Sequence, residues 1–574
     1  MTFTFSQRHA RAACALALAL SSQGAAGASD VLLVRGHIYT GNRQAPWATA
    51  LAITGARIDA VGEDAQIQKH RGPRTRVIDL HGQTAIPGIV DSHMHLLYGA
   101  IALHGLNLST PAASITPDKP QLLIERLRSY SASHPTDAVL FGRADFSTVP
   151  PTTPTHALLD AAVPDRPVVI HNTSEHALWL NAAALAMSGL TDRPVADADE
   201  ERGMIRDASG RPTGVLLEAA MQLAARAVAA RLPVEQQLAM VEAATHYLNG
   251  FGITSVVNAT GDLAEIQLYA ALRDRGALTV RTRTAFGAVA VQQRLTPAFL
   301  ADLDKARRLY HDEWVSANLV KFFADGSTGL IPPLVYTPQD YAALVLALDQ
   351  RGYQIMTHAL RADSVHMVLD TYARLEHTQE PRDRRLRIEH ADLIEEADLP
   401  RFAALGVIPD MQPAFCCGEI GANFDAADQI PSDRWQSLLQ LGATLAFSSD
   451  WPCTWPPDPF LSIQQATTRQ IWRSADTADV AGEPMDGAAQ AGATPTGAIY
   501  VPAERITVED AVRAYTQGSA YAAFAETQVG SLEPGKFADL AVLSQDIFAV
   551  SRESIGKTRV TMTLVGGKVV YGAP

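Results

Sequence analysis

The sequence predicts an α/β fold: a (β/α)8 TIM-type barrel, joined to a discontinuous small β-sandwich and carrying an inserted subdomain. Three observations point there. Short β-rich segments stand at both ends of the chain, apolar strands alternate with helical stretches through its middle, and histidines, a lysine and an aspartate fall at the ends of those strands. Alternating strands and helices signal parallel β/α units, and eight such units close a barrel whose chemistry sits at the carboxyl ends of its strands.

The first residues stand apart. Arg8, His9 and Arg11 precede an apolar run over 12–20 and small residues ending Ala26-Gly27-Ala28. This is the layout of a secretory signal peptide cut after Ala28, so residues 1–28 are set aside and export to a bacterial periplasm is expected. The run is shorter than the roughly 20 apolar residues of a spanning helix, and no membrane span is expected in the mature chain. Cys416, Cys417 and Cys453 remain after Cys14 is removed. Three cysteines leave at least one thiol unpaired and a bridge between adjacent residues is strained, so they are expected as packing residues, with a bridge from Cys453 to one of the pair as the alternative.

Strands are expected at 31–39, 50–61 and 75–80, punctuated by Gly-Asn, Gly-Ala and Gly-Pro, and again at 538–543 and 560–571, where Gly566-Gly567 makes a hairpin turn. Residues 29–84 and 530–574 are therefore expected to form one β domain from both ends of the chain. Barrel strands are expected at 85–91, 253–258, 280–286, 317–324, 353–357, 386–389, 406–411 and 444–448, within 85–529. The stretch between the first two is too long for one crossover, so an inserted subdomain at about 105–250 is expected to cover the barrel mouth.

Composition narrows the partners. Of 574 residues, 47% are hydrophobic and only 19% charged, below the roughly 25% usual in soluble domains, which favours a large core. The net charge of −14 argues against nucleic acid, because a phosphate backbone needs a basic footprint. A small-molecule substrate is expected, and a homo-oligomer is compatible with the sequence.

In Ile86-Pro87-Gly88-Ile89-Val90-Asp91-Ser92-His93-Met94-His95 an apolar run leads into two histidines one residue apart. Strand side chains alternate faces, so His93 and His95 project together and can share one divalent cation. A lone H-x-H pair is as readily two ordinary histidines. What distinguishes this one is the recurrence of Lys321, His358, His390 and Asp450 at or just past later strand ends.

These stretches resemble the amidohydrolase superfamily, and within it amidohydrolase family 3, the YtcJ-like metal-dependent hydrolases. The matching segments, in order, are Pro87 to His95, His176-Ala177-Leu178-Trp179-Leu180-Asn181, Val320-Lys321-Phe322-Phe323-Ala324-Asp325-Gly326-Ser327, Arg387-Ile388-Glu389-His390-Ala391, Gln412-Pro413, Ser449-Asp450-Trp451-Pro452 and Gly530 to Lys536. The resemblance implies that His93 and His95 bind a first metal, His358 and His390 a second, and that Lys321, carboxylated by carbon dioxide, bridges them. An ammonium cannot ligate, and burial beside cations favours its loss of charge. Asp450 would complete the first site and move protons. Two zinc ions are implied, with manganese or iron as alternatives, together with a metal-activated hydroxide as nucleophile.

By the same resemblance His176, Asp325, Gln412 and Trp451 would contact substrate at the mouth. The chain departs from the family at Leu360-Arg361-Ala362-Asp363, where relatives carry Gly-Asp after the histidine. Arg361 could grip a substrate carboxylate through its planar fork; a surface ion pair is the plainer role. The expected function is hydrolysis of a non-peptide carbon–nitrogen bond, an amide of a small molecule, by an exported enzyme. Ester or carbamate hydrolysis, a mononuclear deaminase, or a non-catalytic metal-bearing binding protein are the alternatives.

Overall fold

The computed structural model describes residues 28–108, 120–146, 153–172, 176–190, 201, 203–288, 295–326, 334–416, 430–470 and 499–573. Eight parallel strands form its centre: β1 (Ile89–Met94), β2 (Ile253–Gly261), β3 (Arg281–Gly287), β4 (Val315–Phe323), β5 (Gln354–Ala359), β6 (Arg387–His390), β7 (Ile408–Met411) and β8 (Ala446–Phe447). They pair in unbroken chain order. Every residue of β2, β5, β6 and β7 is buried, as expected of strands covered on both faces.

Three crossover helices, those after β2, β3 and β4, begin at side-chain caps. Asp262 accepts from the amides of Ala264 and Glu265 ahead of Leu263–Asp274, and Thr296 and Thr337 cap Pro297–Leu309 and Pro338–Asp349, each with proline in the first turn. Capping satisfies orphan amide groups and fixes where these three helices begin.

Between β8 and β1 the barrel closes by hydrogen bonds rather than a ladder. Ser92 Oγ donates to the Phe447 carbonyl at 3.1 Å, the Asp450 amide to the His93 carbonyl at 2.8 Å, and the His95 amide to the Trp451 carbonyl at 2.7 Å. Residues far apart in sequence are thus fixed backbone to backbone at the seam.

A six-stranded sheet joins the termini: Lys568–Gly572, Val560–Val565 and Leu540–Leu543 continue into Thr84–Pro87, His37–Tyr39 and Trp47–Ala48. A four-stranded sheet of Arg57–Gly62, Ala50–Thr54, Val31–Val34 and Arg76–Asp79 packs with it through Leu33, Ile38, Leu51, Leu540 and Leu564. Only Gly88 separates Thr84–Pro87 from β1, and a Cβ there would stand 2.2 Å from Thr254 Oγ1. That close approach lets one chain serve both sheets.

Between β1 and β2 lies a third sheet, ordered Met204–Arg206, Pro212–Leu217, Ala177–Leu180, Val168–Asn172, Leu140–Ala144 and Leu106–Asn107, with its own core around Trp179, Leu140 and Ile170. Among the described residues no helix is long and apolar enough to cross a membrane. The apolar run of the expected signal peptide, Cys14 and Cys417 lie outside the described residues. Cys416 is disulfide-bonded instead of a packing thiol, and Cys453 takes no part in a disulfide, so no bridge joins Cys453 to the pair.

Candidate active site

The seam between β1 and β8 gathers three candidate ligands. His93 Nε2 and His95 Nε2 lie 3.5 and 3.2 Å from Asp450 Oδ1, and the ligand atoms of this trio all fall within 4.8 Å of one another. Asp450 adopts φ +55°, a left-handed conformation uncommon for a non-glycine residue, and its amide is held by His93. This turn aims the carboxylate back across the seam.

The neighbouring strands complete the cluster. His390 lies at a ring-centroid distance of 5.0 Å from His93 and 4.5 Å from His358, and Lys321 Nζ is 3.1 Å from His93 Nε2. Lys321 is fully buried, and burial lowers its amine to about 8 despite the carboxylates of Glu389 and Asp450. The structure therefore brings His93, His95, Lys321, His358, His390 and Asp450 into one cluster.

Each of three histidines is held by Nδ1, leaving Nε2 to the interior. His93 Nδ1 lies 2.5 Å from Glu389 Oε2, His95 Nδ1 2.7 Å from Thr260 Oγ1, and His390 Nδ1 2.6 Å from Gln412 Oε1. Partners of this kind fix ring orientation and tautomer in metal-ligating histidines. Burial pushes His93, His358 and His390 well below the usual imidazole range, with the Lys321 charge adding to it, so they stand neutral, the form that ligates. At Asp450 burial opposes ionisation, but the close approach of His95 Nε2 and the charge of Lys321 outweigh it and hold the carboxyl at about 2.

Two buried atoms at the centre lack an aligned hydrogen bond: Asp450 Oδ1 and His358 Nε2, the latter 3.2 Å from Asp325 Oδ1. Unsatisfied buried polar atoms are costly. Neutral imidazoles, an ionised carboxylate and two orphaned atoms facing one space form a donor set that fits a divalent cation of the zinc class.

Below the histidines lies a charge network that sequence reasoning missed. Arg387, fully buried, pairs with Glu389 and with Asp410, both at 2.8 Å, and donates to the Ser92 carbonyl. Asp410 accepts from Ser448 Oγ, which accepts from Gln412 Nε2. One guanidinium thus underlies both His93, through Glu389, and His390, through Asp410, Ser448 and Gln412. The available signal was Arg387-x-Glu389, two charges at strand spacing in an otherwise apolar run.

The remaining expected residues divide. Gln412 supports His390. Asp325, raised to about 6 by burial, accepts from the amides of Leu360 and Arg361 and from Ser364 Oγ, fastening the turn after β5. His176 faces the cluster from the inserted sheet, 6.5 Å from the His358 ring, with Nδ1 2.9 Å from Glu218 Oε1. Trp451 does not line the mouth: its ring is wholly buried over Gly99, and only its carbonyl serves the site, by holding the His95 amide. Arg361 turns to Asp363, Nε to Oδ1 at 3.2 Å, in a partly exposed pair apart from the cluster.

Residues 76–571 match the model of the amidohydrolase family. Protein LONG AFTER FAR-RED 3 of Arabidopsis thaliana is 28% identical over 587 residues, covering 95% of this chain and 92% of that protein. The N-substituted formamide deformylase of Arthrobacter pascens is 25% identical over 568 residues, covering 94% and 98%. An uncharacterized metal-dependent hydrolase from Pyrococcus horikoshii OT3 has the same fold, with a TM-score of 0.68 at 22% identity, covering 91% of this chain and 99% of that one. With a family model matched from the last strand of the four-stranded sheet to the C-terminal strand, the chain belongs to the amidohydrolase family.

Proposed function

We propose that this protein is an exported hydrolase that cleaves a non-peptide amide bond of a small molecule, using divalent metal held by His93, His95 and Asp450 and by His358 and His390. The observation that carries the reading is the convergence of inward-facing Nε2 atoms on the orphaned Asp450 Oδ1 at the barrel seam. A cation there supplies Lewis acidity and lowers the pKa of water from 15.7 to about 7.

The chain's own residues do the rest. Glu389, Thr260 and Gln412 hold the imidazoles in register. Asp450 accepts the proton of the attacking water and returns it to the leaving nitrogen as the carbon–nitrogen bond breaks, releasing an acid and an amine. Lys321, with its amine brought to about 8 by burial, would take up carbon dioxide as a carbamate with release of a proton, and would then offer oxygen in place of nitrogen to a cation. The name of the Arthrobacter relative, a deformylase of N-substituted formamides, favours an amide substrate over an ester. Export to a bacterial periplasm rests on the charged, then apolar, then small-residue order of residues 8–28.

A one-cation variant has an observation of its own: among the described residues, only His93, His95 and Asp450 group as a ligand trio. Metal stoichiometry separates it from the two-cation form. The test of the function is turnover by zinc- or manganese-loaded protein over N-acyl, ester and deamination substrates. Amide cleavage lost in both His93→Ala and Asp450→Asn is expected; turnover that survives either change would reject the assigned site.

A further inference from the structure

A cavity of about 920 Å3 lies on the outer side of the barrel. Its walls come from the helices Leu96–His104, Pro120–Ser133 and Val234–Asn249, the segment after Asp450, and the terminal β domain. None of the residues assigned above to the reaction centre lines it. Trp451 stands between the two spaces: its ring centroid is 6.0 Å from that of Tyr247 and 5.6 Å from that of Trp455, both of which face the cavity.

The chemistry of the walls is one-sided. Tyr130, Tyr247, Phe251, Trp455, Phe460 and Tyr571 supply aromatic surface, within the range of cavity volume that holds a small organic ligand. Arg126, half-buried on its helix, has neither a hydrogen bond nor an ion pair among the described residues, and neither does His246. Arg559 spends one donor on the carbonyl of its neighbour Thr558. The lone acid of the lining, Asp458, is occupied as the cap of the helix Pro459–Thr468, accepting from the amides of Phe460 and Leu461 at 2.8 and 3.4 Å. The Tyr247 hydroxyl also makes no hydrogen bond among the described residues.

A half-buried guanidinium without a partner is a poor way to end an aromatic cavity unless an anion completes it. Its planar fork matches a carboxylate. We propose that this cavity is a second ligand site, distinct from the reaction centre, for an aromatic carboxylate whose ring rests among the aromatic walls and whose anionic head meets Arg126.

The probe is 2-naphthoate, titrated calorimetrically into the full-length protein, beside its neutral counterpart 2-naphthamide. One saturable site per chain is expected for the carboxylate, with at least tenfold weaker binding of the amide. Arg126→Gln should weaken the carboxylate at least tenfold and leave the amide unchanged. Ser129→Trp, which fills the cavity from an exposed helix position, should abolish both. Absence of saturable binding by the unaltered chain, equal affinity for acid and amide, or affinity undiminished by either substitution overturns the proposal.

Discussion

His93 and Glu389, 296 positions apart, meet at 2.5 Å between Nδ1 and Oε2, with both side chains buried. Glu389 is itself gripped by Arg387, which also holds Asp410. The histidine nearest the centre of the cluster is therefore oriented by a carboxylate that cannot move without uncovering a buried guanidinium. The rigidity of the site lies in this network beneath the ligands.

Glu389→Gln should weaken cation binding by roughly 10–100-fold, the usual effect of losing a partner behind a ligating histidine. It should also destabilise the fold by about 3 kcal/mol, because Arg387 keeps only Asp410 as a charged partner. Zinc competition with a chromophoric chelator reads the first effect, and denaturant unfolding of the metal-free protein the second. Unchanged zinc affinity would show that the Nδ1 contact does not orient His93.

Gly99→Ala tests the packing around the seam. A Cβ at Gly99 would stand 2.0 Å from Trp451 Cζ3 and 2.2 Å from Cε3, and Trp451 is fully buried. Overpacking of this kind costs about 1–3 kcal/mol. Any shift of Trp451 also disturbs the carbonyl that receives the His95 amide. A lowered midpoint of denaturant unfolding together with weaker cation binding is expected; an unaltered midpoint would mean that the indole moves freely.

The barrel was legible because each strand is a short apolar run bounded by turn residues, and the ligand types recur at the ends of those runs. The eighth strand shows the limit: expected over 444–448, it pairs only over Ala446–Phe447, because the chain leaves the ladder to swing Asp450 across the seam. Arg387 and Glu389 alternate with Ile388 and so mark one face of the strand as polar, but spacing alone does not tell a network beneath His93 from an ordinary buried ion pair. Trp451 was expected at the mouth from the family resemblance. Asp450 stands in a left-handed turn beyond β8, and after that turn the Trp451 ring packs over Gly99 instead. The six-stranded inserted sheet went unresolved because its strands run from only two to six residues.

Arg361→Met should leave turnover of anionic and neutral substrates equally unaffected. The guanidinium is engaged with Asp363 in a partly exposed pair, a contact worth about 0–1 kcal/mol, and the site uses only the Arg361 backbone amide, which donates to Asp325. Steady-state kinetics on one substrate of each kind decides it. A KM raised selectively for the anionic substrate would restore a role in substrate binding.

Glu265 gives the stability of the fold a pH dependence of known sign. Its carboxyl is part-buried behind β2, accepting from Asn258 Nδ2 at 2.9 Å and the Tyr269 hydroxyl at 3.1 Å, and desolvation with the charge of Asp262 raises it to about 8. An unfolded glutamate titrates near 4.3. Between these values the native state keeps a proton that the unfolded chain gives up. The contribution is therefore fully present below about pH 4 and is lost as pH rises toward 8. Both hydrogen bonds end on one oxygen, Oε2, so glutamine can accept both while removing the titration. Glu265→Gln should match the unaltered protein at pH 5 more closely than at pH 8, where its relative stability should rise by at least about 1 kcal/mol. Denaturant unfolding of both proteins at the two pH values reads the change, and a difference independent of pH would show that Glu265 is ionised in the native fold.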